Sequence, residues 1–131
     1  MSIYTDATDF IKSHPELKTK EGIVALKRIG KFRGTRKERT QLFRNVADQL
    51  HVPNEYRKSF SQLVLFIDIL RERTSSLVAV EEKKIRPDDT VIWSDQSVVV
   101  VSISEKDFTL TCEVPGRGKI SGISAKHVEK N

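Results

Sequence analysis

The sequence predicts an α+β protein, with a bundle of four helices over residues 1–76 followed by an all-β domain over residues 77–131. Two observations carry this expectation. Up to about residue 76 the apolar residues recur at three- and four-residue steps, the period of a helix with one buried face. Beyond Ser75-Ser76 they alternate or form short β-branched runs parted by turn residues, the period of strands. A length of 131 residues suits one ordinary domain or two very small ones. The apolar residues are only 37% of the chain but lie in dense local runs, which separates it from sequences that cannot offset the entropy of ordering.

Asp6 can cap a short first helix with Asp9 three residues on, Phe10 and Ile11 supply its apolar side, and His14-Pro15 ends it, because the residue before proline avoids the α region. A second helix starts at Thr19 and carries Ile23, Ala25, Leu26 and Ile29 as far as Gly30 and Gly34. Thr35 and Glu38 form a capping box for the third, in which Leu42, Phe43, Val46, Ala47 and Leu50 recur at helical steps until Pro53. Asn54 can cap the fourth, where Tyr56, Phe60, Leu63, Ile67 and Leu70 step by four, three, four and three. A helix this apolar on several sides is either buried centrally or paired with another subunit, so a homodimer through it is one expectation. Thr90–Trp93, Ser97–Ile103, Phe108–Val114 and Lys119–Ile123 read as four strands, with Leu77 to Val80 a fifth strand or a connector.

The net charge of +5 is not spread along the chain. Between Lys27 and Arg39, seven cations (Lys27, Arg28, Lys31, Arg33, Arg36, Lys37 and Arg39) face Glu38 alone, a local +6, and the remainder is nearly neutral. Around two glycines and Phe32, such a segment can track phosphates, since Lys and Arg release counterions on contact and glycine lets the backbone approach closely. The plainer reading is a solvated helix end plus loop, with cations complementing the C-terminal dipole of the second helix. Leu42 to Phe60 partly resembles a helix-turn-helix, which would place Asn54, Glu55, Arg57 and Lys58 at the front of a recognition helix; two antiparallel bundle helices explain the same spacing.

In the last third, Asp89-Thr90-Val91, Val100-Val101-Ser102-Ile103, Phe108-Thr109-Leu110-Thr111, the Gly116–Gly118 turn and Lys126-His127-Val128 fall in the order of a small barrel module. Residues 85–129 thereby resemble an SH3-like barrel of the KOW/Tudor kind. The resemblance implies contact with nucleic acid, with modified or proline-rich peptides, or with other proteins. A methyl-lysine cage needs several aromatics, and this segment holds only Trp93 and Phe108. The candidate contacts on the barrel are Trp93 and the hairpin-tip cations Arg117 and Lys119, the tip glycines being needed by a tight turn in any case.

Catalytic and metal chemistry find little footing. His14, His51 and His127 are scattered, Cys112 sits singly in an alternating strand, and no glycine-rich phosphate loop follows a strand, so no catalytic residue, metal ligand or cofactor is expected. One cysteine rules out an internal disulfide framework and suits a reducing compartment. The N-terminal stretch has no basic start leading into an apolar run, and Leu63–Leu70 is too short to span a bilayer, which reads as a cytoplasmic chain without membrane contact. The expected function is non-enzymatic binding of DNA or RNA, or regulation, through residues 27–39 and the barrel. The alternative is a protein-interaction adaptor or assembly factor meeting an acidic protein partner.

Overall fold

The computed structural model describes residues 2–130. Four helices come first: α1 (Ile3–Ser13), α2 (Lys20–Lys31), α3 (Arg36–Leu50) and α4 (Phe60–Glu82). Five strands follow: β1 (Thr90–Trp93), β2 (Gln96–Ile103), β3 (Leu110–Val114), β4 (Gly118–Ile123) and β5 (Val128–Lys130). The chain divides into two compact units, residues 1–74 and 75–131, with the division falling inside α4.

In the first unit, α1 begins earlier than Asp6 suggests. Ser2 is its N-cap, the hydroxyl accepting the Tyr4 N–H at 3.1 Å, which releases Asp6 for a different bond. The carboxylate of Asp6 accepts the phenolic O–H of Tyr56, fifty residues away. Tyr56 is buried, stacked on Phe66 with ring centroids 4.6 Å apart, and Phe66 meets Phe10 edge-on at 5.7 Å. This aromatic cluster ties α1 and α4 to the segment between α3 and α4.

The same cluster explains why Asn54 does not start a helix. Asn54–Tyr56 make a single 3-10 turn that drops Tyr56 into the core. The helix resumes at Phe60, where Ser59 accepts the Gln62 N–H at 3.2 Å. The apolar surround of α4 is used inside the unit: Leu63, Phe66, Ile67 and Leu70 are all at most 3% exposed, and among the large apolar residues of α4 only Leu65 is exposed.

Leu77 to Val80, read as a strand or connector, instead continue α4 to Glu82. Ala79 is buried with Ile85 against the inner face of the sheet, so tertiary packing decides for helix over local β-branched preference. The helix ends in a Schellman motif, with Lys84 left-handed (φ 54°) and the Ile85 N–H bonded to the Val80 carbonyl at 3.0 Å.

The sheet is antiparallel and open, in the order β4-β3-β2-β1-β5, with β4 and β5 at its edges. Val91, Val98, Val100, Leu110, Cys112 and Val114 point inward from alternate positions and are at most 1% exposed. The first strands join through Ser94-Asp95, both at positive φ as a two-residue hairpin turn of the primed type requires. Pro115-Gly116 form the type II turn between β3 and β4, with Gly116 at φ 79° and the Arg117 N–H returning to Val114 O at 3.0 Å. Phe108 lies outside β3, against expectation: it is left-handed (φ 62°) in a turn closed by Ser104 and Thr109.

At the Lys126-His127-Val128 step of the expected module, a 3-10 turn occupies Ala125–His127 and leads into β5, a strand that alternation over three residues was too short to reveal. Two lysines hold it. Lys83 Nζ donates to the carbonyls of Ala125 (2.9 Å) and Val128 (2.7 Å), and Lys130 Nζ reaches the Lys84 carbonyl (2.7 Å) and the Asp89 carboxylate (3.1 Å). Bonds from the Arg86 N–H and from Lys130 hold the Asp89 carboxyl below its usual range.

Two predictions arise here. Lys83→Met keeps the aliphatic stem but leaves the Ala125, Lys126 and Val128 carbonyls short of a charged donor, so it costs the second unit about 1.5–3 kcal/mol and speeds hydrogen exchange at β5 amides before those of β2. Separately, the bond to Asp6, followed by burial and the charges of Asp6 and Glu55, pushes the Tyr56 phenol from 10 up to about 12. Because the folded value lies above the unfolded one, this stabilisation is complete below the unfolded value and drains away as pH rises from 10 to about 12. Urea unfolding across that window should show wild type losing stability faster than Tyr56→Phe, whose deficit at neutral pH shrinks as pH rises.

Candidate nucleic-acid interface

The basic segment runs from the last turns of α2, through a four-residue connector, into the first turn of α3. Thr19 caps α2, accepting the Gly22 N–H at 3.3 Å, and Gly22, Ala25, Leu26 and Ile29 form its buried stripe. Lys27, Arg28 and Lys31 are therefore left on the exposed side. In the connector, Phe32 is extended and its ring folds back over Gly34: a Cβ there would lie 2.6 Å from Phe32 Cζ. The absence of a side chain at Gly34 leaves room for the ring to lie against the backbone there. Arg33 donates to the Phe32 carbonyl at 3.2 Å and is otherwise exposed.

Thr35 and Glu38 make the capping box reciprocally: the Glu38 N–H reaches Thr35 Oγ1 at 3.2 Å, while Glu38 Oε1 accepts the Thr35 N–H (3.1 Å) and hydroxyl (2.8 Å). These bonds hold the Glu38 carboxyl below its ordinary value. The one acid of the segment is accordingly committed to the α3 cap. Among the described residues, Lys27, Arg28, Lys31, Arg36 and Lys37 form no ion pair.

The helix dipoles divide the cluster. Arg28 and Lys31 stand in the last turn of α2, at its negative end, where cations are favoured, so helix stability alone accounts for them; Lys27 lies one turn earlier. Arg36 and Lys37 stand in the first turn of α3, at its positive end, where cations are disfavoured. Their placement works against the stability of the helix that carries them.

Val24, Lys27, Arg28 and Lys31 share one face of α2 at three- and four-residue steps. Together with Phe32 and Leu42 they line an open groove of about 560 Å³. Val24 is 49% exposed. The sequence reading missed Val24 and Leu42 as a groove floor; the available signal was Val24 itself, an apolar residue off the buried stripe of its helix.

The remaining candidates are placed elsewhere or already engaged. The Arg39 guanidinium lies over the rings of Phe43 (4.8 Å) and Phe60 (5.7 Å), which themselves pack edge-on. Arg57 is bound to Asp48 at 2.6 Å, and with Lys58 it lines a second groove of about 300 Å³ that also includes Arg44, Asp48 and Phe60. Leu42 and Arg44 are two residues apart, about 200° around α3, so the two grooves lie on different sides of that helix. No recognition helix begins at Asn54: Arg57 and Lys58 sit in the connector before Phe60. His51 is left-handed (φ 59°, ψ 44°) and ends α3 in a Schellman motif, in which the Val52 N–H returns to Ala47 O at 3.0 Å.

On the sheet, Trp93 is partly buried against the core, while Arg117 and Lys119 are exposed at the β3–β4 hairpin. They lie at one end of the sheet, on strands separated by β2 and β3. Cys112 is buried, and burial pushes its thiol upward, away from the reactive thiolate. His14 stacks on Phe10 at 3.8 Å with Nδ1 2.9 Å from the Phe10 carbonyl. Among the described residues no group of three His, Cys, Asp or Glu side chains could hold a metal ion, and no helix is long and apolar enough to cross a membrane. No protein-family model matches the chain, and neither the curated proteins nor the solved structures contain a significant match to it.

Proposed function

We propose that this protein binds nucleic acid, without catalysis of its own, through the exposed cations of the α2–α3 region. Lys27, Arg28, Lys31, Arg33, Arg36 and Lys37 supply sequence-independent affinity for phosphates. The single observation that carries the reading is the position of Arg36 and Lys37: unpaired cations in the first turn of a helix do nothing for the fold and concentrate positive potential where an anion is favoured. The β domain, read as an SH3-like module, offers a second nucleic-acid or protein contact through Arg117, Lys119 and Trp93. Its five antiparallel strands and the turn at Ala125–His127 support that reading.

A second reading, an adaptor for an acidic protein partner, is favoured by the apolar floor of the groove beside its cations. Competition separates the two. With a labelled oligonucleotide bound, excess unlabelled nucleic acid should displace the label at far lower charge concentration than polyglutamate does; equal displacement by both would favour the adaptor.

A further inference from the structure

We infer that the groove between α2 and α3 holds an unpaired nucleotide, its base against Phe32, Val24 and Leu42 and its phosphates on Lys27, Arg28 and Lys31, so that the protein prefers single-stranded to duplex nucleic acid. This rests on the nucleic-acid reading above and narrows it. In a duplex the base faces are stacked on one another and hidden, and the outer surface is phosphate, sugar and polar base edges. An apolar floor gains nothing from that surface. An unpaired base exposes a flat apolar face, and proteins that hold single strands combine a cationic track with an aromatic platform.

Both parts are present within the last two turns of α2 and its exit. Val24, Lys27, Arg28 and Lys31 set aliphatic and cationic groups side by side on one helix face, and the Phe32 ring lies beside them at the exit of the helix, against Gly34. The groove is open to solvent and has a volume of about 560 Å³. An acidic peptide would match the cations too. However, Arg33, Arg36 and Lys37 extend the positive track past the groove into α3, which suits a chain charged at every unit rather than a few carboxylates.

The test is fluorescence anisotropy with the full chain and labelled oligothymidylate, oligouridylate and a DNA duplex, each about 12 units long, at about 50 mM and about 200 mM salt. At least one single strand should bind roughly tenfold tighter than the duplex. Phe32→Ala should weaken single-strand binding by about tenfold, the lower part of the range for loss of one stacked base, and leave the duplex unchanged. Phe32→Leu, which keeps an apolar side chain at the end of α2, should fall between them, and its thermal melt shows whether the helix is intact. Lys27→Gln should weaken both ligands. Duplex binding as tight as single-strand binding, or an equal loss on both ligands in Phe32→Ala, overturns the groove assignment while the basic-surface reading stands. Failure of every oligonucleotide to bind at the lower salt overturns that reading and the inference together, as does polyglutamate binding more tightly than any oligonucleotide.

Discussion

Replacing Lys31, Arg33, Arg36 and Lys37 together by Gln should flatten the salt dependence of nucleic-acid binding, lowering the magnitude of the log–log slope by about 3 to 4, roughly one phosphate contact per cation removed. Affinity at about 50 mM salt should fall by about a hundredfold or more, because the lost contacts are the sequence-independent ones. The Arg36→Gln/Lys37→Gln double variant gives the sharper contrast. Removing two cations from the positive end of α3 relieves a repulsion that costs about 0.3–1 kcal/mol per residue at a helix end, so this variant should melt at the same temperature as wild type or higher while binding more weakly. Arg39→Gln should do the reverse: its guanidinium lies over Phe43 and Phe60, so stability falls and affinity changes little. Opposite signs on neighbouring residues are hard to obtain from a general loss of fold. Equal losses of affinity in all three variants would place Arg39 in the binding surface after all.

The largest effect on stability is expected at Phe66. It is fully buried, stacks on Tyr56 and meets Phe10 edge-on, so it joins α1, α4 and the turn that delivers Tyr56. Phe66→Ala leaves a cavity at that junction and should cost about 4 kcal/mol, within the range for buried Phe truncation, measured by urea unfolding of the helical signal. Much of a small domain's total stability would be gone. Phe66→Leu, which keeps most of the volume, should cost less than half as much. A loss below about 1 kcal/mol for the alanine variant would mean that the helices are not assembled around this cluster.

Much of this architecture can be read from local chemistry. Thr19, the Thr35–Glu38 capping box and the His14-Pro15 stop act within four residues, so α2 and α3 and the end of α1 follow from the sequence. The strands β1 to β4 follow from alternation and from turns such as Pro115-Gly116. The failures lie where distant partners decide. Asn54 looks like a cap, but the bond from Tyr56 to Asp6 and the stack on Phe66 pull the chain into one 3-10 turn and delay α4 to Phe60. Leu77 to Val80 look β-branched and alternate, yet Ala79 packs on the sheet and the helix continues. The last strand, β5, exists by pairing with β1, more than thirty residues earlier, and is braced by Lys83 and Lys130 reaching carbonyls more than forty residues away, which no window of sequence displays.

The candidate site divides in the same way. Its charge was legible as a local +6, but not its sorting. Arg39 is engaged by aromatics from two helices and Arg57 by Asp48, while Arg36 and Lys37 are left unpaired at the wrong end of a dipole. The groove was not legible at all, because Val24, Phe32 and Leu42 come together only when α2 and α3 fold back on one another.

The most direct test of the phosphate-binding reading is the salt dependence of the wild-type protein. Oligonucleotide affinity measured from about 50 mM to about 200 mM salt should fall linearly on log–log axes, with a slope near −0.7 per contact on a single strand or −0.9 on a duplex, and about four to six contacts in all. A slope near zero, or no detectable binding at the lowest salt, would contradict it.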